Sequence, residues 1–555
     1  MDDGEDIRRA HNFCLSKDLG KLAENTFVDD SVSTCAPPSV GRSSLASTPD
    51  LGPTNCDNLD IECFSPLHHE PKVCIVHHDE MQLHTPPRTS GVYELPRRII
   101  AIENCFKGRA VSEGFPKRSW GNSPMQFLRT SRGKRKRLVE VFGSPAAKRR
   151  QAVFHTGSAC AESVWESCEI VEAPIGQDSE IGLVHSQRHI AEVKRLCAIA
   201  KTTQAALYPL VRPFKRTPKD TKGLLGDDNY YAPQSLTAMR RAVGGAVEAV
   251  RRLFLIDPAT GHATGRSDIE SSFAIVRPPG HHCCSDPSGF CYFNNTAIAA
   301  SYARKELGMP KVAIVDWDYH HGDGQQRLFY NDATVLTISI HVAMERLRNG
   351  KDTIAFPGNK SMDVAFNGGG HGLGYNINIP WPHDKIGASE YEEAFQSIVL
   401  PALQGFDADL ILVASGFDAM VGDTLAGTRL TPSAYHSMTC KLLSLQKPIA
   451  VILEGGYAPE NLAMGSLNVV HALLGRPPCD ACHVENSGWE GPVLREAEGV
   501  LEAVRHRLNS LPPWNTMRRL GSDTYFLEKQ PASLDSFWQK ASQNLTELII
   551  EQASS

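Results

Sequence analysis

The hydrophobic and polar positions of this 555-residue chain fall into zones. Residues 1 to about 70 are rich in Ser, Pro, Asp and Asn and show no apolar period, which predicts a disordered arm. A first strand is predicted at Lys72-Val-Cys-Ile-Val-His77, followed by a helix opening at Leu95-Pro-Arg-Arg with proline in its first turn. Residues 107 to about 178 break the pattern and read as a surface insertion. From Ile181 short apolar runs recur, each ending in a turn: Ile181–His185, Ser272–Val276, Lys311–Val315, Val335–Ile340, Asn376–Ile379, Leu410–Ala414 and Ile449–Leu453. Helical stretches separate most of them, at Ser235–Phe254, Asn295–Leu307, Ala388–Leu403 and Pro432–Leu445. Eight strands alternating with helices predict an α/β fold, one large open domain with a mainly parallel sheet flanked by helices. After Arg476 the alternation stops, and helices are expected at Leu494–Leu508 and Ser533–Gln552. The expected domains are an N-terminal arm (1–70), a catalytic domain (71–478) and a helical C-terminal extension (479–555).

Composition narrows this picture. A net charge of -6 argues against a nucleic-acid-binding protein. Met1-Asp-Asp-Gly-Glu-Asp6 is acidic and lacks the apolar segment of a secretory signal, and no stretch is long and apolar enough to span a bilayer. A reducing compartment is expected, with the fifteen cysteines as free thiols. Cys479-Asp-Ala-Cys482-His483 fits a haem-attachment pattern, and Asn294 and Asn544 fit glycosylation acceptors, but each would need an export route. Inside the insertion, Lys134-Arg-Lys-Arg137 and Lys148-Arg-Arg150 flank a ten-residue spacer. That spacing predicts a bipartite nuclear import signal, so the expected location is the nucleus, shared with the cytoplasm.

The chemistry lies at the strand ends. Lys311–Val315 runs into Asp316-Trp-Asp318-Tyr-His320-His-Gly-Asp323-Gly324. Two histidines and three aspartates at a buried strand end are costly unless a cation compensates them. In an extended segment Asp318 and His320 face the same way and can hold one metal ion. Three further strands end in Arg277-Pro-Pro-Gly-His281-His282, Ser415-Gly-Phe-Asp418 and Glu454-Gly-Gly-Tyr457. In a parallel sheet these ends share one edge, which makes Asp418 the natural third ligand. The ligand set suits zinc and also ferrous iron. His281 and His282 are candidate general base and acid, with Asp316 and Asp323 available to hold them, and Tyr457 can donate to an oxyanion. Metal-assisted amide hydrolysis is the reaction these parts specify.

Together with Gly289-Phe-Cys-Tyr-Phe-Asn-Asn295, these motifs resemble the zinc-dependent histone deacetylases, class II type, over roughly residues 72 to 477. The resemblance implies an arginase/deacetylase-like fold. It implies zinc on Asp318, His320 and Asp418, His281 paired with Asp316, and His282 paired with Asp323 as the main base. Tyr457 would be the transition-state donor. Gly289, Phe290 and Phe356 would line the acetyl-lysine tunnel, with Leu425 as the residue at its mouth. A structural potassium ion on Asp316, Asp318, His320 and Ser339 is also implied. Asp323 stands where class II commonly has Asn. Thr424 replaces the usual Pro, and Ala426 the first Gly after the Leu, of a Gly-Asp-Pro-Leu-Gly segment.

Three function classes follow from this. The first is a lysine deacetylase acting on histone tails or other acetylated proteins within a corepressor complex, and so repressing transcription. The others are an acetylpolyamine amidohydrolase and a catalytically silent acetyl-lysine-binding scaffold. No membrane partner and no sequence-specific nucleic acid are expected. Cys283, Cys284 and Cys291 read as packing rather than as ligands.

Overall fold

The computed structural model describes residues 70–86, 93–115, 163–204, 229–346, 352–479, 492–511 and 514. The predicted N-terminal arm up to residue 69, the two basic clusters and the helix expected at Ser533–Gln552 lie outside them.

Eight strands form one sheet: β1 (Val73–His77), β2 (Glu169–Glu172), β5 (Ser271–Ala274), β6 (Val312–Asp316), β7 (Val335–Val342), β10 (Asn376–Trp381), β11 (Leu410–Ser415) and β12 (Ile449–Leu453). Their order is β10-β7-β6-β11-β12-β5-β1-β2, and every pairing is parallel. Two small antiparallel hairpins stand apart, β3 (Phe254–Ile256) with β4 (Ala263–Arg266), and β8 (Met344–Arg346) with β9 (Asp352–Ile354).

The inner strands are buried along their whole length because helices cover both faces, so they read as continuous apolar runs. Each fully buried Val, Ile or Leu there contributes about 1.5–3 kcal/mol of burial free energy. The helices include α1 (Arg97–Phe106), α2 (Gln187–Thr203), α3 (Ser235–Arg251), α4 (Asn295–Lys305) and α5 (Asp323–Phe329). Further along are α6 (Ala388–Ala394), α7 (Leu400–Phe406), α8 (Pro432–Leu443), α9 (Pro459–Leu473) and α10 (Arg495–Asn509). A widened turn, Phe395–Val399, joins α6 to α7, where Pro401 has no N–H to give the helical ladder.

One strand differs from expectation. Ile181–His185 is not in the sheet: a single helical turn, Asp178–Ile181, ends there and a tight turn follows. Ile181 is buried by packing, not by strand pairing. The eighth strand is β2, which lies inside the stretch read as an insertion. Its sequence Glu-Ile-Val-Glu offers only two apolar residues, both half-buried, because it is the outermost strand beside β1. Described residues of that stretch therefore contribute to the core and sheet, among them Val111, Phe115 and β2. Beyond Arg476, α10 packs against β10 and α6, and Trp514 donates from Nε1 to the Gly374 carbonyl at 2.8 Å.

The sheet also decides where chemistry can sit. From β6 the chain moves outward to β7 and β10, and from β11 it moves the opposite way to β12. The adjacent pair β6 and β11 is thus the point where the crossovers diverge, and a crevice opens at the carboxyl ends of such strands.

Candidate active site

The three predicted metal ligands meet at this point. Asp318 and His320 follow β6, Asp418 follows β11, and one donor atom from each lies within 4.8 Å of the others. The segment carrying Asp318 and His320 is a bend and not a continuation of the strand. It is held by its own side chains: Asp316 accepts from the Asp318 N–H at 3.0 Å, and Asp318 accepts from the His320 N–H at 2.9 Å. Asp418 Oδ1 accepts from the Tyr319 N–H at 2.8 Å, tying the two loops together. His320 Nδ1 then lies 3.1 Å from both Asp318 Oδ1 and Asp418 Oδ2.

These donors fit a bound cation. Burial disfavours a charged His320, but its hydrogen bonds to Asp318 and Asp418 outweigh burial and lift its pKa to about 10. Burial also works against the Asp318 carboxylate, yet His281 and the His320 bond hold its pKa far below the usual range. A buried pocket that draws a proton onto an imidazole between two carboxylates has the charge and the mixed oxygen and nitrogen donors that a divalent metal needs.

Beside it stand the tandem histidines. His281 Nδ1 lies 3.0 Å from Asp316 Oδ2, and His282 Nδ1 lies 2.9 Å from Asp323 Oδ1. A carboxylate can only accept, so Nδ1–H donates in both pairs and Nε2 is left facing the site. The two rings are shifted in opposite directions. Burial opposes protonation of His281, but Asp318 and Asp316 overcome it and raise its pKa well above the ordinary value. For His282, burial and the neighbouring His281 lower the pKa to about 4, so its imidazole is neutral near pH 7. Burial raises the Asp316 carboxyl to about 7. Tyr457, 5 % exposed, has its pKa raised further above 10 by burial and then by Asp418, so its hydroxyl stays a donor.

Aromatic rings line the approach. Phe356 stands edge-on to His282 at 4.8 Å between centroids and 6.1 Å from His320. Phe290 lies 5.7 Å from the Tyr457 ring. Gly289 has φ +53°, and a Cβ there would meet the rings of His282 and Phe356 at under 3 Å, so only glycine fits between these two rings. Leu425 is half-buried, two residues past the buried Asp423, which accepts from its N–H at 2.9 Å. Ser339 sits on β7 opposite Asp316 in register, and its hydroxyl accepts from the Gly322 N–H at 3.3 Å.

Residues 144–473 match the family model for the histone deacetylase domain. The chain belongs to the histone deacetylase family. It is 40 % identical over 284 residues to histone deacetylase HDA1 of Candida albicans, covering 50 % of this chain and 31 % of that protein. It is 34 % identical over 350 residues to histone deacetylase 18 of Arabidopsis thaliana, covering 62 % and 46 %. To human polyamine deacetylase HDAC10 it is 32 % identical over 357 residues, covering 64 % and 47 %. The matched stretch therefore spans about a third to a half of these relatives. The crystal structure of the HDA15 HD domain superposes with a TM-score of 0.56 at 25 % identity, covering 81 % of this chain and 99 % of that one. The HDA1 relatives agree with the class II type, and the all-parallel eight-stranded sheet is the deacetylase fold.

Sequence reasoning missed the groups of this deacetylase domain that brace the site from behind. Glu454, fully buried, accepts from the Gly280 and His281 N–H groups at 2.6 and 3.1 Å and from Thr296 at 2.8 Å, which fixes the histidine loop. Arg98 on α1 donates to the carbonyls of Gly456, at 2.6 Å, and Glu454, and lies 5.1 Å from the Tyr457 ring centre. Asp423 accepts from four backbone N–H groups. An Arg98 lying 356 residues from its partner shows no local signal beyond an Arg97-Arg98 pair that reads as a solvated helix face.

Two other groups among the described residues have metal-like composition. His185, His189 and Cys283 are all buried, but their atoms are already engaged. His185 Nδ1 bonds the Cys284 carbonyl and its Nε2 accepts from Asn294 N–H, while His189 Nε2 and Cys283 Sγ both bond the Tyr292 carbonyl. They form a cradle for the loop that carries Phe290. In the other group, His77 and Glu103 pair at 3.4 Å, and Lys107 supplies the cation to Glu103.

Proposed function

We propose that this chain hydrolyses the acetyl amide of N6-acetyl-lysine side chains in proteins, releasing lysine and acetate. Histone tails are the first substrate class, and repression of transcription in the nucleus within a corepressor complex is the role. The observation that carries this reading is the convergence of both His–Asp pairs, the three metal-type donors and the Tyr457 hydroxyl at one sheet edge. A silent scaffold would be expected to have lost one of these groups, and all are present.

Asp318, His320 and Asp418 would hold zinc, which when bound polarises the acetyl carbonyl and acidifies a water molecule. The neutral His282 takes the proton of the attacking water at Nε2, while Asp323 keeps its Nδ1 protonated and its ring in place. His281, held at Nδ1 by Asp316, is suited to protonate the departing amine. Tyr457 donates to the oxygen on which negative charge develops. Phe290 and Phe356 flank the acetyl-lysine chain and keep bulk water away. Potassium on Asp316, Asp318, His320 and Ser339 would further compensate the carboxylates behind the site.

Leu425 supports the choice of substrate. A leucine at the mouth gives apolar contact, whereas a carboxylate there would attract the distal ammonium of an acetylpolyamine. Favouring the other reading is the similarity to a polyamine deacetylase. Purified full chain assayed side by side on an acetylated histone peptide and acetylspermidine decides between them, with and without a hydroxamate. Higher kcat/KM on the polyamine would overturn the proposal. For location, a fluorescent fusion lacking residues 134–150 should leave the nucleus. Unchanged distribution would refute the import signal.

A further inference from the structure

The Tyr457 hydroxyl sits at the end of a backbone that has little intrinsic reason to hold still. Two glycines precede it, and Gly456 has φ +115°, a conformation open to glycine and rarely used by other residues. Something outside the local sequence has to fix this turn.

That something is the loop after β11. Asp423 is fully buried, and its Oδ2 accepts from the Tyr457 N–H at 2.7 Å and the Ala458 N–H at 3.1 Å. Its Oδ1 accepts from the Leu425 and Ala426 N–H groups at 2.9 and 3.1 Å. The next residue completes the grip: Thr424 Oγ1 donates to the Tyr457 carbonyl at 2.9 Å. Two consecutive side chains thus hold both backbone polar groups of Tyr457. The loop supplying them is itself braced. Val421 N–H donates to the Leu430 carbonyl, Thr428 N–H to the Ala419 carbonyl, and Asn461 Nδ2 to the Val421 carbonyl, each at 2.9 Å.

We propose that Asp423 and Thr424 form a clamp that positions the Tyr457 hydroxyl and joins it to the tunnel-mouth residue Leu425 as one mechanical unit. Thr424 is the part that departs from the usual proline, which would bring no hydroxyl to the Tyr457 carbonyl. This rests on the reading of Tyr457 as the oxyanion donor. Thr424 touches no reacting atom and is a positioning residue. Its contribution should appear in kcat and leave KM nearly unchanged, since the donor acts on charge that develops only in the transition state.

The test uses the full chain with Thr424→Val, which keeps the shape and removes the donor, and Thr424→Ser, which keeps the donor. Each is placed in the wild-type and Tyr457→Phe backgrounds. Loss of one neutral hydrogen bond predicts a fall in kcat of about 3- to 10-fold for Thr424→Val on an acetylated peptide, recovered by Thr424→Ser. In the Tyr457→Phe background the same change should cost nothing further, because the hydroxyl being positioned is gone. Amide hydrogen exchange of the peptide spanning 454–462 should accelerate by a similar factor in Thr424→Val and return in Thr424→Ser. An equal kcat loss in both backgrounds would show a general packing role and overturn the positioning assignment. Unchanged exchange overturns the clamp whether or not the protein turns over substrate. A wild-type protein that hydrolyses neither acetylated peptide nor acetylspermidine would bring down the deacetylase reading, while the exchange measurement still decides the clamp.

Discussion

The floor of the site and its rim are built differently. On the floor, nearly every functional side chain is locked by a buried partner one step further back. Both oxygens of Asp318 accept backbone N–H groups, from His320 at 2.9 Å and Gly455 at 2.8 Å, and Glu454 fixes the turn before His281. A Cβ on Gly455 would collide with the carboxylates of Asp318 and Asp418, so the chain there has no freedom to vary. At the rim, Leu425, Phe356 and, on β8, Met344 are only half-buried, and such side chains meet solvent on one side. Such a contrast separates chemistry from choice. On the proposed reading, preorganised donors in the buried floor would determine whether an amide is cleaved, and partly exposed loops which amide arrives.

The largest effect should follow from breaking the floor. Asp418→Asn or His320→Ala should abolish bound metal, read by elemental analysis, and with it turnover, while the circular dichroism of the sheet domain is retained. Full activity in a metal-free preparation would end the metal reading. Next in size is Tyr457→Phe, expected to lower kcat by about 10²–10³, the cost of deleting one oxyanion donor. A variant as fast as wild type would show that another group stabilises the oxyanion. The smallest effect belongs to the rim. Leu425→Glu should move the ratio of kcat/KM toward acetylspermidine by about 1 kcal/mol, because an exposed charge pair is screened by water. That shift should shrink with added salt, whereas the floor variants should be insensitive to it. A rim change that cost as much as a floor change would erase the distinction.

Legibility followed the same division. The apolar runs of β6, β11 and β12 were readable because inner strands covered by helices on both faces leave few polar positions to confuse the pattern. An edge strand such as β2, with Glu169 and Glu172 at its ends, gives no such run, and Ile181 mimics a strand residue because burial by packing looks the same in one dimension. Asp316, Asp318, His320 and Asp418 stood out as chemistry because charged groups directly after buried strands demand compensation. Thr424 registered only as a departure from pattern, since its partner lies 33 residues away.

Residue chemistry and period alone determined the α/β alternation, the metal-type donors and the tandem histidines, because burial and desolvation act on each strand end locally. Tertiary structure decided the rest. The parallel pairing of β6 with β11 brought Asp418 to His320, and the packing of α1 brought Arg98 beneath Tyr457. The surroundings push the pKa of His281 up and that of His282 down, though the two are neighbours of identical composition. A side chain's charge is set by the field of every group within a few ångströms, and that field exists only once the chain has folded.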